Sequence, residues 1–180
     1  MVRHLGYGVN PEVQIPTILH ENGYPVSLIG KVADVIECKG AKYYPKVGTH
    51  GVMELILEKM KHQNNGLIAA NVQETDLSGH SQDPKRYARK LMVVDKYLGK
   101  VMEKMKTEDV LIITGDHGND PTIGHSHHTR EKTLLLVYGK KLKPTDLQER
   151  ATFSDIAATI ADYFDINKPE SGESFLNIIC

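Results

Sequence analysis

The stretch Leu111-Ile112-Ile113-Thr114-Gly115-Asp116-His117-Gly118-Asn119-Asp120 decides how this chain is read. Apolar and β-favouring residues run straight into a glycine, and an acid and an imidazole follow at once. A short apolar run that ends in Gly reads as a buried strand reaching the edge of its sheet. In open parallel sheets, ligands bind at the loops leaving the carboxyl ends of the strands. Asp116 and His117 are therefore expected at that edge, with Gly115 and Gly118 letting the backbone turn tightly around them. A few residues on stands Gly124-His125-Ser126-His127-His128-Thr129-Arg130. Carboxylates and neutral imidazoles gathered this way are common donors to a transition metal. Taken alone, the same residues also suit a polar turn, because Asp, Asn and Gly dominate turns. The two readings separate on whether other strand ends supply matching ligands.

They do. Residues 67–72, Leu-Ile-Ala-Ala-Asn-Val, read as a buried strand that runs into Gln73-Glu74-Thr75-Asp76-Leu77-Ser78-Gly79-His80. Asp76 and His80 thus follow one strand, Asp116 and His117 the next, and His128 lies in the loop before a third. Two strand ends and a flanking loop can converge on one pocket. Two unpaired carboxylates about 4 Å apart repel by roughly 4 kcal/mol at an effective dielectric near 20. A divalent ion reverses that sign and makes the cluster self-consistent.

The remaining chain alternates in the same way. Asn10-Pro11-Glu12 looks like a helix start, with Pro16 limiting its regularity and Gly23 ending it. Residues 25–30 form a short strand closed by Gly30, and Lys31 after it reads as a solvated cation. Residues 39–48 have no period and read as a surface loop. From Thr49 a helix presents Val52, Leu55, Ile56, Lys59 and Met60 on one face, with Asn64-Asn65-Gly66 as its stop. Asp83-Pro84 opens a long helix whose core face is Tyr87, Leu91, Val94, Leu98, Val101 and Met105. Residues 133–138 are nearly continuous in apolar side chains, as a strand buried on both faces should be. Thr152 or Ser154 caps a last helix with Ile156, Ala157, Ile160, Ala161 and Phe164 inward. This alternation predicts an α/β fold, a mostly parallel sheet flanked by helices on both faces. The sheet is expected to lack strands, because the first clear one begins only at Pro25.

Bulk properties narrow the class. The 180 residues suffice for one domain with a core, and residues 1–180 read as a single α/β domain. Net charge is −1, with 22 basic and 23 acidic residues, which gives no electrostatic case for nucleic acid or an anionic membrane as partner. No apolar run approaches the roughly 20 residues of a membrane helix. Residues 1–8 lack the apolar core of a signal peptide. Cys38 and Cys180, the only cysteines, make no disulfide framework, so a reduced, cytoplasmic setting is expected.

The spacing of these motifs resembles the alkaline-phosphatase superfamily: Asp-x-x-Gly-His after one strand, Thr-Gly-Asp-His-Gly-Asn-Asp after the next, and His128-Thr129-Arg130-Glu131 after the loop. Within it the chain is most similar to the phosphopentomutases. Supporting matches include Ile29-Gly30-Lys31, His50-Gly51-Val52, Asp155-Ile156-Ala157-Ala158-Thr159 and Gly172-Glu173-Ser174-Phe175-Leu176. The resemblance implies an alkaline-phosphatase-like core. It makes Asp76, His80 and His128 ligands of one metal and Asp116 and His117 ligands of a second. Both ions are manganese in the family, and zinc also suits the donors. The implied reaction interconverts ribose 1-phosphate and ribose 5-phosphate through a phosphothreonine. In the family that threonine and a further ligating aspartate belong to an N-terminal portion, separated by a cap domain, that has no counterpart here. The chain is thus expected to be the carboxyl-terminal part of a larger phosphomutase-like metalloenzyme core. Its catalytic nucleophile is absent, its partner is that missing portion, its substrate is a small sugar phosphate, and alone it is inactive. Thr75, which precedes a ligand, reads as structural.

Departures from the phosphopentomutase pattern keep alternatives open. The family's aspartate stands five residues before its histidine, with an arginine after it. Here the spacing is four and Ser81 follows His80. A metal-dependent phosphatase or a relative of the cofactor-independent phosphoglycerate mutases is one alternative. A catalytically incomplete metal-binding or assembly module is another. His125 and His127 fall outside the motif and read as solvated or outer groups that orient ligands. Arg130 could contact phosphate, but reads rather as a structural ion pair, with Glu131 and the carboxylate cluster close by.

Overall fold

The computed structural model describes residues 8–46 and 48–180. Residues 1–7, on which the leader-peptide reading rests, lie outside them. Asn10 caps a single 3-10 turn, its side chain accepting from the Glu12 N–H at 3.0 Å. The chain then restarts as helix α1 (Ile15–Glu21), with Pro16 in the first turn, where its missing N–H costs nothing. The break at Gln14 divides what the sequence suggests is one irregular helix. Gly23 follows α1 at a φ of 83°.

Strand β1 (Val26–Ile29) is the buried centre of a parallel three-stranded sheet, flanked by β2 (Lys42–Tyr44) and β3 (Leu67–Ala70) in the order β2-β1-β3. The short helix α2 (Val32–Val35) leads from β1 toward β2. β2 corrects the surface-loop reading of residues 39–48. Three mostly exposed residues on a sheet edge carry too little hydrophobic alternation to announce a strand, and the backbone ladder to β1 supplies what the side chains do not.

Helices cover both faces of this sheet. Val26 and Leu28 point to one face and pack with Leu19 of α1, with Ile160 of helix α6 (Ser154–Tyr163) and with Phe164 just past its end. Leu19 and Leu28 are fully buried, worth roughly 1.5–3 kcal/mol each. Ser27 points the other way, and its hydroxyl donates to Gln63 at the end of helix α3 (Thr49–His62) at 2.6 Å. α3 packs in turn on the 21-residue helix α5 (Pro84–Lys104) through Met53, Tyr97 and Val101. Asp83 caps α5, accepting from the Arg86 N–H at 2.8 Å, with Pro84 at its first position as the sequence predicts.

The α3–α5 core also holds Val72, just past β3, and Leu111 of β4 (Val110–Thr114). The long helix thereby sets the ends of two separate strands in one frame. β4 pairs with β5 (Leu135–Gly139) in an antiparallel two-stranded ladder apart from the parallel sheet. β5 is not buried on both faces: it alternates, with Leu136 and Tyr138 exposed and Leu135 and Val137 half-buried. Leu91 on α5 is likewise exposed rather than in the core. Sequence periodicity identifies apolar faces and cannot show which of them lack a partner.

The N-cap of α6 is Phe153, which has no side-chain acceptor, rather than Thr152 or Ser154; the Thr152 hydroxyl, two residues before the helix, accepts from the Ser154 N–H at 3.2 Å. Ala158 and Ala161 form the buried stripe of α6, with Ile156 and Ile160 half-buried beside it. The chain ends in α7 (Leu176–Ile179).

Candidate metal centre

β3 delivers the chain into a helix rather than a loop: α4 (Gln73–His80) begins three residues past its end. Thr75 donates to the Val72 carbonyl at 2.8 Å and so closes the first turn. Glu74 locks the helix in place. Its carboxylate accepts from the Thr49 N–H at 2.7 Å and the Thr49 hydroxyl at 2.8 Å, and pairs with Lys90 of α5 at 2.7 Å. Burial pushes this carboxyl up, and Lys90 with the two Thr49 donors more than reverses that, holding it at about 2. α4 is thus tied to α3 and α5 at once.

One helical turn separates Asp76 from His80, so the two share a face. Asp76 Oδ1 lies 3.3 Å from His80 Nε2, 3.4 Å from His128 Nε2 and 3.9 Å from His117 Nε2. His80 Nε2 and His128 Nε2 are 3.1 Å apart, and the His117 and His128 rings stack at 3.6 Å. Four of the five residues singled out from sequence therefore meet. The fifth, Asp116, stays at the rim with its side chain 62% exposed and Oδ2 3.5 Å from His117 Nε2. The tightest trio is Asp76, His80 and His128, with donor atoms 3.1–3.4 Å apart; a second, Asp76, His117 and His128, has donor atoms all within 4.8 Å of one another. That second trio takes a member from each of the two ligand sets the resemblance implies.

The protons on these rings are directed by their outer partners. His80 Nδ1 lies 2.6 Å from the Ser126 carbonyl and His117 Nδ1 3.2 Å from the Gly118 carbonyl. A carbonyl only accepts, so each Nδ1 carries the hydrogen, and in the neutral ring Nε2 presents a bare lone pair. The Nε2 atoms of His117 and His128 and a carboxylate oxygen of Asp76 lie within 4.8 Å of one another, and His80 Nε2 lies 3.3 Å from that carboxylate. The arrangement is electrostatically poor by itself and is resolved by a cation at its centre. The residues present fit a divalent ion.

Two side chains that sequence reasoning gave no role complete the support. Asn119 donates to Asp76 Oδ1 at 2.7 Å and to the Asp76 carbonyl at 3.1 Å, while its own buried Oδ1 has no partner. Gly79 makes room for it: a Cβ there would lie 2.3 Å from the Asn119 amide. Asn119 stands within the motif quoted from sequence, which marked it only as a turn residue. Gln82 joins α4 to the histidine loop and carries no signal in the sequence. His125 and His127 are exposed, with their ring centres 5.6 Å apart and the His127 N–H donating to His125 Nδ1 at 3.3 Å. Arg130 is exposed and forms no ion pair among the described residues, which corrects the expected Arg130–Glu131 pair. Glu131 instead accepts from the Thr129 hydroxyl, because the strand-like course of residues 129–131 sends alternate side chains to opposite sides.

Beside the cluster runs a groove of about 550 Å³, lined among others by Thr114, Asp116, His117, Thr133, Arg150 and Phe153. Arg150 is committed elsewhere, pairing with Asp155 at 2.8 Å and donating to the Glu173 carbonyl.

The chain is 39% identical to a phosphopentomutase of Alkaliphilus oremlandii over 90% of its own length and 42% of that protein's. It is 40% identical to the phosphopentomutase of Clostridioides difficile, covering 89% of itself and 43% of that protein. It therefore spans roughly two fifths of the length of the curated relatives it matches. The solved structure of the PH0037 protein from Pyrococcus horikoshii matches 67% of this chain and 39% of its own at a TM-score of 0.47 and 19% identity. Residues 1–168 match the metalloenzyme superfamily. With a parallel sheet flanked by helices and an Asp–His cluster at the ends of its strands, the chain belongs to the metalloenzyme superfamily and has its alkaline-phosphatase-like fold.

Proposed function

We propose that this chain is the metal-binding part of an enzyme that transfers a phosphoryl group on a sugar phosphate, with ribose 1-phosphate and ribose 5-phosphate as the interconverted pair. The observation that carries this reading is the convergence of Asp76, His80, His117 and His128, with the Nδ1 atoms of His80 and His117 on backbone carbonyls and the Nε2 atoms of all three imidazoles toward Asp76. Asp76, His80 and His128 hold one divalent ion in this proposal, and Asp116 with His117 contributes to a second, manganese in both positions with zinc as the alternative. Bound ions of this kind neutralise a phosphoryl group and its attacking and leaving oxygens.

The chain's own residues do the positioning. Asn119 orients Asp76, the Ser126 and Gly118 carbonyls aim His80 and His117, and the groove beside them is of small-ligand size. The nucleophile is assigned to a portion that the longer relatives possess beyond the matched region. Thr75 is no substitute, since its hydroxyl is spent on the Val72 carbonyl. The whole chain is proposed to act as one domain. The free thiols of Cys38 and Cys180 suit a cytoplasmic setting, and among the described residues no helix is long and apolar enough to cross a membrane.

One observation favours a second reading, a metal-dependent phosphatase or phosphoglycerate-mutase relative. Ser81 stands where phosphopentomutases carry an arginine, and its hydroxyl donates back to the Leu77 and Ser78 carbonyls, leaving no cation there for a pentose phosphate. The test combines this chain with the N-terminal portion of a longer relative and manganese, then assays ribose 1-phosphate, phosphoglycerate and a generic phosphate ester. Pentose-phosphate interconversion is expected. Hydrolysis of the generic ester alone supports the phosphatase reading. No turnover on any of the three, with metal bound, leaves the assembly-module reading.

A further inference from the structure

Gln82 is built into the connection between α4 and α5 in a way that its backbone alone does not justify. Its φ is 51°, in the left-handed region where a side chain beyond Cβ is disfavoured and Gly, Asn or Asp is usual. A residue that costs stability in its backbone is retained for what its side chain does. Here the side chain spans two elements. Its amide nitrogen donates to the Gly79 carbonyl and to the Asp120 carbonyl, both at 3.0 Å, and its amide oxygen accepts from the Gly124 N–H at 2.7 Å. The first contact is in the last turn of α4, one residue before His80. The other two grip the histidine loop at both ends of residues 120–124, between His117 and His128.

Beyond Asn119, the exposed part of that loop has few other ties to α4. Residues 122–128 are exposed, and Gly124 sits at a φ of 89° with open space around it. Its other ties are the two hydrogen bonds of Asn119 to Asp76, the Gly118–Thr129 bridge, the Asp120 N–H to the Thr129 hydroxyl, and the Ser126 carbonyl on His80. We infer that Gln82 is a positioning residue for the metal centre, a three-point clamp that fixes the His117–His128 loop against the helix carrying Asp76 and His80. The inference rests on the metal-centre reading above. Outer groups of this sort change metal affinity by about 10- to 100-fold when removed.

The test uses the whole chain with manganese as probe and two variants whose backbones differ. Gln82→Gly removes the clamp and relieves the left-handed backbone. Gln82→Met removes the same hydrogen bonds and keeps the backbone cost. Calorimetric titration should show both variants losing about tenfold or more in Mn²⁺ affinity. Metal-free melting should show Gln82→Gly at or above the parent and Gln82→Met below it. Amide hydrogen exchange across residues 118–129 should accelerate in both. Affinity that falls equally while stability moves in opposite directions assigns the effect to the amide. Variants that bind within twofold of a tightly binding parent overturn the clamp and leave the metal centre standing, as does an affinity loss that merely follows earlier melting. A parent that binds no manganese overturns both.

Discussion

At the scale of single residues, the five ligands named from sequence are not equivalent in space. Asp76 is the hub, within 4 Å of three imidazoles and only 18% exposed, whereas Asp116 is solvated. Replacing His128 by Ala should therefore weaken manganese binding markedly in a calorimetric titration. Unchanged affinity would show that the loop histidine is not a ligand. Glu74 has a different task, holding α4 to α3 and α5, and its signature is in stability against pH. With a folded-state pKa of about 2 against an ordinary 4.5, the ionised carboxylate stabilises the fold at every pH above about 4.5. That contribution fades as pH falls from about 4.5 to about 2. Allowing for its partial exposure, its size is on the order of 2 kcal/mol. Urea denaturation of parent and Glu74→Gln at pH 7 and pH 2.5 should show the gap between them shrinking by most of that amount. A gap that stays constant would mean the carboxylate's charge is not what Lys90 and Thr49 recognise.

At the scale of elements, α4 explains the spacing that sets this chain apart. Four residues turn a helix by about 400°, which returns His80 to within about 40° of Asp76, while a fifth would carry it some 100° further round. The short spacing thus suits a helical presentation of both ligands. The sequence conceals this helix, because Gln73–His80 is mostly polar and no apolar face marks it. Gly79 sits in its last turn against Asn119. Gly79→Ala adds helix propensity, worth about 1 kcal/mol, and forces a Cβ to 2.3 Å from the Asn119 amide. The clash should win, since overpacking typically costs 1–3 kcal/mol. Thermal melting should fall and metal affinity with it; a stabilised variant would mean that Asn119 moves aside freely.

At the scale of the whole molecule, α5 joins a parallel three-stranded sheet to an antiparallel pair, and the cluster forms where the two meet. If the nucleophile belongs to the longer relatives' further portion, as proposed, the chain by itself, given manganese and a sugar bisphosphate activator, should show no conversion of ribose 1-phosphate, because a two-step transfer needs its nucleophile. Robust turnover would place a nucleophile within the chain, and Thr75 would be the first residue to replace. The sequence by itself determined the α/β class, β1, β3, β4 and the long helix with its Asp83-Pro84 start. It also marked out the candidate ligands, since periodicity, caps and donor chemistry are local and each is written within a few consecutive residues. Only the tertiary structure decided that β2 exists, that β5 pairs antiparallel with one face uncovered, and that Arg130 lacks its expected partner. It alone decided that Asp76 gathers imidazoles from both expected sets while Asp116 stays outside, and that Asn119 and Gln82 hold them there. These outcomes depend on which distant surfaces meet. Pairing across the 35 or more residues that separate His80 from His117 follows from the packing of α3, α5 and the strands together, which no local pattern encodes.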